Sequence, residues 1–173
     1  LVNEFSDFAR MPKPILKDNN LVILINDSIN LLKTLDNKID INFNSFKKDV
    51  FFNSDNEQIS RVFFNLIKNS IESIQEKKHD NSNYIGKIDI ELKDNGTSLD
   101  FVIKDNGVGF EVITGNIKDI LNPYFTTKKN GTGLGLAIVN KIINDHHGTL
   151  NFKSLEEGAE IKIKFNKQWT LKY

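Results

Sequence analysis

Residues 55–76 read DNEQISRVFFNLIKNSIESIQE and predict the helix around which the rest of the chain is arranged. Asp55 followed three residues later by Gln58 is typical of a capping box, in which two side chains satisfy backbone N–H groups reciprocally. Apolar residues then recur at helical spacing: Ile59, Val62, Phe63, Leu66, Ile67, Ile71 and Ile74. This apolar face must be buried, so the helix is predicted to lie in the core.

A polar stripe follows another side of the same helix. Asn65, Asn69, Glu72 and Glu76 fall within roughly 60° of one another at about 100° per residue. Asparagine is a mediocre helix former, so two asparagines one turn apart need an explanation. One explanation is a ligand, because two amide oxygens could share a hard cation and the phosphates that it carries. The alternative is the solvated side of an ordinary amphipathic helix, which the stripe alone favours.

Length and composition indicate one domain with a real core, since the chain has 173 residues and is 39% hydrophobic. A net formal charge of zero gives no general reason to expect a nucleic-acid partner. The absence of cysteine from the sequence excludes disulfides, thiolate zinc sites and cysteine nucleophiles. The sequence holds no signal peptide and no apolar run near the roughly 20 residues of a membrane helix. We expect a cytoplasmic domain cut from a longer protein, whose anchoring in the inner membrane is left open.

The order of the other elements predicts an α+β fold. Helical spacing marks residues 1–10, before Pro12 and Pro14, then residues 20–35, and a helix after residue 135 with Gly148 as its C-cap. Residues 79–83 are expected to form a polar loop. Alternating or short apolar segments predict strands at 39–43, 50–52, 88–92, 99–103, 150–152 and 161–165. We therefore predict a two-layer sandwich, with helices on one face of a mixed, mostly antiparallel sheet.

The tripeptide Asp-Asn-Gly occurs twice, at 94–96 and at 105–107. The first copy lies between two alternating strands and predicts a hairpin turn. The second copy is followed by Val108-Gly109-Phe110 and no alternating strand, so a hairpin does not explain it. A carboxylate at the end of a buried strand can accept a hydrogen bond from an exocyclic amine such as that of adenine, and glycines allow close approach. The alternative for Asp105 is a solvent-exposed turn.

Residues 131–135, GTGLG, precede the last predicted helix. Glycines at a helix N-terminus let backbone N–H groups approach an anion, and the helix dipole adds to the attraction. Neither a P-loop nor a Rossmann fingerprint fits this segment, and a flexible loop is the alternative. Lys128, just before the glycines, could reach phosphate oxygens or be one of many surface lysines.

Four segments in this order resemble the N, G1, F and G2 boxes of sensor histidine kinases. They are NLIKN at 65–69, DNGVG at 105–109, PYFTTK at 123–128 and GTGLGL at 131–136. The resemblance covers roughly residues 20–166 and is greatest to nitrogen-regulation kinases of the NtrY and NtrB type. It assigns residues 1–14 to the end of a dimerisation helix and its linker, 15–166 to the catalytic domain and 167–173 to a tail.

The resemblance implies the Bergerat ATP-binding fold, which these kinases share with the Hsp90, gyrase and MutL ATPases. Asp105 would bind the adenine amine in a pocket shaped by Gly107 and Gly109, and Asn69 with Asn65 would hold Mg²⁺ on the phosphates of ATP. Glu72 would also line the nucleotide site. The other implied nucleotide contacts are a lid of Phe125, Thr127 and Lys128, and a phosphate segment of Gly131, Thr132, Gly133, Leu134, Gly135 and Leu136.

The same resemblance favours phosphoryl transfer over ATP hydrolysis. Hydrolysing relatives place a glutamate one turn before the metal-binding asparagine, and here that residue is Asn65, which cannot act as a base. Asn65, Asn69 and Lys128 are therefore the candidate catalytic residues, because such transfers depend on positioning and charge neutralisation. Glu72 is an alternative base. An ATPase and a non-catalytic binding module remain the competing hypotheses.

The acceptor histidine of such kinases has no counterpart in this sequence. His79, His146 and His147 do not fit its motif and are interpreted as structural or solvent-exposed, with the helix dipole favouring a histidine at a helix C-terminus. The chain is thus expected to bind Mg-ATP without phosphorylating itself. Its expected partners are the dimerisation domain of the same kinase, in a full-length homodimer, and a response regulator of a two-component system.

Overall fold

A five-stranded sheet covered on one face by helices forms the body of the protein in a computed structural model, which describes residues 2–110, 117–124 and 133–168. The helices are α1 (Val2–Ala9), α2 (Leu21–Leu32), α3 (Asn56–Asp80) and α4 (Gly135–Asp145), with a 3₁₀ helix at Ile117–Leu121. The strands are β1 (Lys17–Asn20), β2 (Asp40–Ser45), β3 (Phe51–Ser54), β4 (Lys87–Asp94), β5 (Ser98–Asp105), β6 (Gly148–Ser154) and β7 (Ala159–Asn166). The predicted α+β class is confirmed.

The large sheet has the strand order β2-β4-β5-β7-β6. Strands β2 and β4 are parallel, and the other three pairs are antiparallel, as predicted for a mixed sheet. Alternate residues of β4, β5 and β7 are buried, whereas those between them are partly or fully exposed. Only one face of the sheet is therefore covered, and the period-2 pattern of the sequence reports which one.

Helix α3 fills the centre of the covered face. All seven apolar residues of its predicted inner face are fully buried. The ring of Phe63 lies 4.9 Å from that of Phe101, which places α3 over the middle of β5. Burial of a side chain of this size contributes about 1.5–3 kcal/mol. The helix runs on to Asp80, so the prediction of a polar loop at 79–83 is wrong at His79 and Asp80.

The start of α3 differs from the predicted capping box. Asp55 accepts the N–H of Gln58 on Oδ1 at 3.0 Å, as predicted. The reciprocal bond, from the Asp55 N–H to Oε1 of Gln58, is absent, and Nε2 of Gln58 donates to the carbonyl of Pro12 at 3.0 Å. The N–H of Asp55 donates to Nε2 of His146 at 3.1 Å. The first turn of α3 is thus packed against the linker and the end of α4, and these supply its partners.

The end of α4 also departs from the prediction. His146 is the C-cap, His147 takes the left-handed conformation with φ +53°, and Gly148 already begins β6. A Cβ on Gly148 would lie 2.9 Å from the Ile143 side chain and 3.0 Å from the Phe165 ring. Close packing, and not helix capping, is therefore the reason for a glycine at position 148.

His146 is completely buried at this junction. Its Nε2 accepts from Asp55, so Nδ1 carries the proton and donates to the carbonyl of Ile142 at 2.7 Å. Burial lowers the pKa of His146 and outweighs the raising effects of the Ile142 carbonyl and nearby carboxylates. The ring is neutral, so attraction to the helix dipole, invoked from the sequence, does not explain it.

A second, two-stranded sheet joins β1 to β3 in antiparallel register, with Asn20 opposite Phe51. The polar sequence KDNN gives β1 no apolar alternation, so sequence patterns did not predict it. Its last residue, Asn20, caps α2 by accepting the N–H of Val22 at 3.2 Å. None of the described helices is long and apolar enough to cross a membrane.

Candidate functional site

The polar stripe of α3 is only partly covered by its neighbours. Asn65, Asn69 and Glu72 are half-buried, and Glu76 at the far end is exposed. Glu72 lies 3.8 Å from the ammonium group of Lys68, one turn earlier. The stripe is therefore not solvated along its whole length, and the ligand hypothesis for it stays a prediction.

The Asp105 turn rests directly on α3. Oδ1 of Asp105 accepts the N–H of Gly107 at 2.9 Å, and the N–H of Val108 donates to the Ser73 hydroxyl at 3.0 Å. A Cβ on Gly107 would lie 2.6 Å from the Ser73 carbonyl carbon and 2.8 Å from the Ile74 nitrogen. Only glycine permits this approach. Because Ser73 follows Asn69 by four residues, the turn lies one helical turn from the stripe asparagine.

Asn106 fixes the turn to the start of β4. Its Oδ1 accepts the N–H of Lys87 at 2.7 Å, and its Nδ2 donates to the carbonyl of Ile85 at 3.0 Å. Its own carbonyl accepts from the Tyr84 hydroxyl at 2.6 Å and from Lys77 at 3.3 Å. The second Asp-Asn-Gly is therefore an anchored strand end, and the conclusion that it is not a hairpin turn is confirmed.

The tip of the β6–β7 hairpin closes the other side of this turn. A Cβ on Gly109 would lie 2.8 Å from the carbonyl oxygen of Gly158, which has φ +84°. A cavity of about 300 Å³ lies beside these glycines. It is lined by Lys77, Gly107, Val108, Gly109, Phe110 and residues 154–158. Two predicted pocket residues, Gly107 and Gly109, thus lie in one cavity with the hairpin tip.

Helix α4 begins without a side-chain cap. Leu134 occupies the N-cap position and is buried, and a leucine side chain cannot accept a hydrogen bond. A Cβ on Gly135 would meet no atom of the described residues within 4 Å. Among the described residues, the side of Gly135 that a Cβ would occupy is therefore clear, and the phosphate hypothesis for Gly135 and the half-buried Leu136 stays a prediction.

Gly133 packs against the backbone of Tyr124. It has φ +71°, and a Cβ on it would lie 2.6 Å from the Tyr124 Cα. Tyr124 itself has φ +67°, and its ring stacks on that of Phe5 in α1 at 6.4 Å. Residues of the F and G2 boxes and of α1 therefore meet here. The predicted lid and phosphate residues Phe125, Thr127, Lys128, Gly131 and Thr132 lie outside the described residues.

The model of the family of histidine kinase-, DNA gyrase B- and HSP90-like ATPases matches residues 54–168. The chain belongs to this family. The match includes α3, the Asp105 turn, α4 and the β6–β7 hairpin, so the predicted ATP-binding fold is confirmed.

Within this ATPase family, the chain is similar to proteins named as histidine kinases. A Rickettsia prowazekii (strain Madrid E) protein named as an NtrY-like sensor histidine kinase is 36% identical over 167 residues, which is 96% of this chain and 26% of that protein. The chain thus spans about a quarter of that relative. The solved catalytic domain of histidine kinase ThkA superposes with a TM-score of 0.75 at 29% identity, over 88% of this chain and 95% of that one. The structure of ThkA in complex with the response regulator TrrA superposes with a TM-score of 0.69 at 26% identity, over 88% of this chain and 42% of that one.

The donor atoms of this ATPase domain suit magnesium that is held together with a nucleotide. Among residues 2–110, 117–124 and 133–168, no three His, Cys, Asp or Glu side chains cluster as a metal site. Mg²⁺ usually keeps several waters and takes only one or two protein ligands besides phosphates. The half-buried amides of Asn65 and Asn69, one turn apart, fit that limited role.

Three residues that contact the Asp105 turn or the start of α3 are not predicted from the sequence. Ser73 follows Asn69 by one turn on α3, and its spacing could have revealed it. Gly158 lies between two predicted strands without a predicted role, and His146 is predicted only as a structural or solvent-exposed histidine. Their partners, Asp105 and Asp55, lie 53 and 91 residues away in the chain, so no local pattern marks them.

Proposed function

We propose that this chain is the part of a sensor histidine kinase that binds Mg-ATP and donates the γ-phosphoryl group to a histidine on a dimerisation domain outside this chain. The observation that carries the proposal is the contact between the Asp105 turn and α3. Gly107 and Val108, just after Asp105, contact Ser73, which follows Asn69 by one helical turn. This contact supports a site in which the proposed adenine-binding turn and the proposed phosphate-side asparagine are carried by rigid elements.

In this proposal Asp105 accepts a hydrogen bond from the adenine amine, and Gly107 and Gly109 leave room for the ring. Asn69, assisted by Asn65, would hold Mg²⁺ and orient the phosphates, and the bound ion would neutralise charge on the transferred group. The segment from Gly133 to Leu136, which leads into the first turn of α4, donates backbone N–H groups to phosphate. Glu72 lines the same side of the site, and Phe125, Thr127, Lys128, Gly131 and Thr132 close over the nucleotide.

Asn65 supports phosphoryl transfer over hydrolysis, because an amide cannot activate water as a base. The histidines support an acceptor in another domain: His146 is buried, neutral and bonded at both ring nitrogens, and His79 and His147 are exposed at helix ends. We further propose that residues 1–14 end a dimerisation helix and its linker, before a catalytic domain at 15–166. The whole protein would act as a homodimer, phosphorylate a response regulator, as the ThkA–TrrA complex suggests, and have an anchor in the inner membrane.

Calorimetric titration with ATP, with and without Mg²⁺, tests this function. The wild-type chain should bind Mg-ATP, and Asn69→Ala should lower the magnesium-dependent affinity about tenfold or more, since a lost hydrogen bond to a charged group costs about 1.5–3 kcal/mol. Asn30→Ala, on the exposed side of α2, is the matched control and should bind like the wild type. Absence of ATP binding by the wild type, or equal binding by both variants, would contradict the proposal.

A further inference from the structure

The tip of the β6–β7 hairpin touches the backbone of the Asp105 turn. Ala159, the first residue of β7, pairs with Asp105, and Gly158 comes immediately before it. The hairpin turn is closed by the N–H of Leu155, which donates to the carbonyl of Gly158 at 3.0 Å. Gly158 has φ +84°, a conformation that glycine adopts without cost.

There is no room for a side chain at Gly158. A Cβ at this position would overlap the Asp105 carbonyl oxygen, and would lie 2.6 Å from the Asp105 carbonyl carbon and 2.7 Å from the Asn106 Cα. These atoms belong to the backbone, so no flexible side chain can move aside. On its other side, the Gly158 carbonyl oxygen lies 2.8 Å from the position of a Cβ on Gly109. The hairpin tip is therefore held between the two ends of the Asp105–Gly109 segment.

The remaining contacts of the turn hold Asn106 and Gly107 in place. Gly107 abuts the backbone of Ser73, and Asn106 is bonded through both side-chain atoms to residues 85 and 87. A group added at Gly158 would consequently push on the residue in direct contact with it, Asp105. Because Oδ1 of Asp105 is bonded to the Gly107 N–H, the direction of the carboxylate depends on the backbone of this turn.

We propose that Gly158 is a positioning residue for Asp105: by allowing the hairpin tip to contact the turn, it sets the angle at which the carboxylate meets the amine of a purine. This inference rests on the proposed ATP binding and adds a determinant of base specificity. Adenine presents an amine donor where guanine presents a carbonyl acceptor. A carboxylate held in one direction favours adenine, and one that is displaced discriminates less.

Gly96 provides a matched control within the same chain. It has φ +86°, almost the value of Gly158, and a Cβ on it would meet no atom of the described residues within 4 Å. Alanine at either position pays the cost of a left-handed conformation, about 1 kcal/mol. Only Gly158→Ala adds a contact with Asp105. Comparing Gly158→Ala with Gly96→Ala thus distinguishes the effect of backbone strain from the effect of displacing the Asp105 carboxylate.

The test is calorimetric measurement of Kd for Mg-ATP and Mg-GTP, together with melting temperatures, for wild type, Gly158→Ala and Gly96→Ala. We expect Gly158→Ala to reduce the preference for ATP over GTP about tenfold. Gly96→Ala should keep the wild-type preference within about twofold while losing thermal stability. If Gly158→Ala is not folded, Gly158→Asn and Gly96→Asn replace the alanine pair, because asparagine tolerates positive φ.

Unchanged preference in a folded Gly158 variant would overturn the inference, whatever its melting temperature. Loss of folding in both Gly158 variants, with both Gly96 variants folded, would overturn it too, since Gly158 would then serve folding alone. In either case ATP binding by the wild type leaves the proposed function standing. If the wild type binds no nucleotide, the proposed function itself fails; if it binds ATP and GTP equally, Asp105 does not select the base, and the inference fails with that role.

Discussion

The two Asp-Asn-Gly tripeptides have the same sequence and the same local hydrogen bond, yet different surroundings. Asp94 ends β4 and Asp105 ends β5, so they lie at opposite ends of one antiparallel strand pair. In each, Oδ1 of the aspartate accepts the N–H of the glycine two residues later at 2.9 Å. Local chemistry therefore does not distinguish a hairpin turn from a candidate nucleotide contact.

The difference lies in what surrounds each turn. The Asp94 carboxylate binds the ammonium groups of Lys47 at 3.0 Å and Lys167 at 3.2 Å, and Gly96 faces open space. Burial raises the pKa of Asp94, but the Gly96 N–H and the two lysines together hold it below its ordinary value. The Asp105 turn is held by α3, β4 and the β6–β7 hairpin tip, through its backbone and through the Asn106 side chain. The comparison teaches that tertiary contacts assign the role of a motif.

The largest expected difference between the two turns is in nucleotide affinity. Asp105→Asn keeps an oxygen to accept the Gly107 N–H but loses the charge offered to the adenine amine. We expect it to weaken Mg-ATP binding about 10- to 100-fold, or about 1.4–2.8 kcal/mol, as measured by calorimetry. Asp94→Asn, the same change in the hairpin turn, should alter Kd by less than about twofold. Equal losses in the two variants would show that the comparison has no functional meaning.

The middle asparagines should differ next in their effect on stability. Asn106→Ala removes two side-chain bonds to the backbone of β4 and its approach, so its free energy of unfolding should fall by about 1–2 kcal/mol. Asn95 makes one exposed side-chain bond, to Asp100, and Asn95→Ala should cost less than about 0.5 kcal/mol. Urea denaturation at neutral pH measures both. A cost for Asn95→Ala as large as that for Asn106→Ala would contradict the anchored-turn model.

The smallest expected difference is in the response to acid, which should lower the free energy of unfolding through His146 at a higher pH than through Asp94. Helix α3, which supports the Asp105 turn, depends on neutral His146, whose pKa is lowered by burial. As the pH falls, His146 is protonated in the unfolded chain at a higher pH than in the folded chain. The free energy of unfolding should therefore begin to fall below about pH 6.5, by at most about 1.4 kcal/mol per pH unit. Urea denaturation at pH 7, 6 and 5 measures the slope, which His146→Gln should reduce.

Asp94→Asn is the control for this pH dependence. The lowered pKa of Asp94 stabilises the folded chain above the ordinary pKa of aspartate, and that stabilisation is lost as the pH falls through the folded pKa. Its effect therefore belongs below about pH 4. The slope from pH 7 to 5 should match that of the wild type. An unchanged slope in His146→Gln would mean that His146 does not sense acid through its burial.

What the sequence predicted well depends on periodicity. The inner face of α3, the Asp94 hairpin and the alternation of β4, β5 and β7 all follow from residues that are neighbours in the chain. The family boxes added a nucleotide-binding role for Asp105, which stays a prediction. Strand β1 escaped prediction because KDNN has no apolar pattern and is stabilised by pairing with β3. Gln58 was assigned to the wrong partner because Pro12 lies 46 residues away.

The segment of residues 10–16, which follows α1, couples that helix to α3. Its Pro12 carbonyl is held by Gln58 and its Ile15 N–H donates to Asp55 at 2.8 Å, so both bonds end on the same helical turn. Pro12 and Pro14 restrict the backbone between α1 and that turn. A rotation of α1 would therefore be transmitted directly to α3, the helix that carries Asn65 and Asn69.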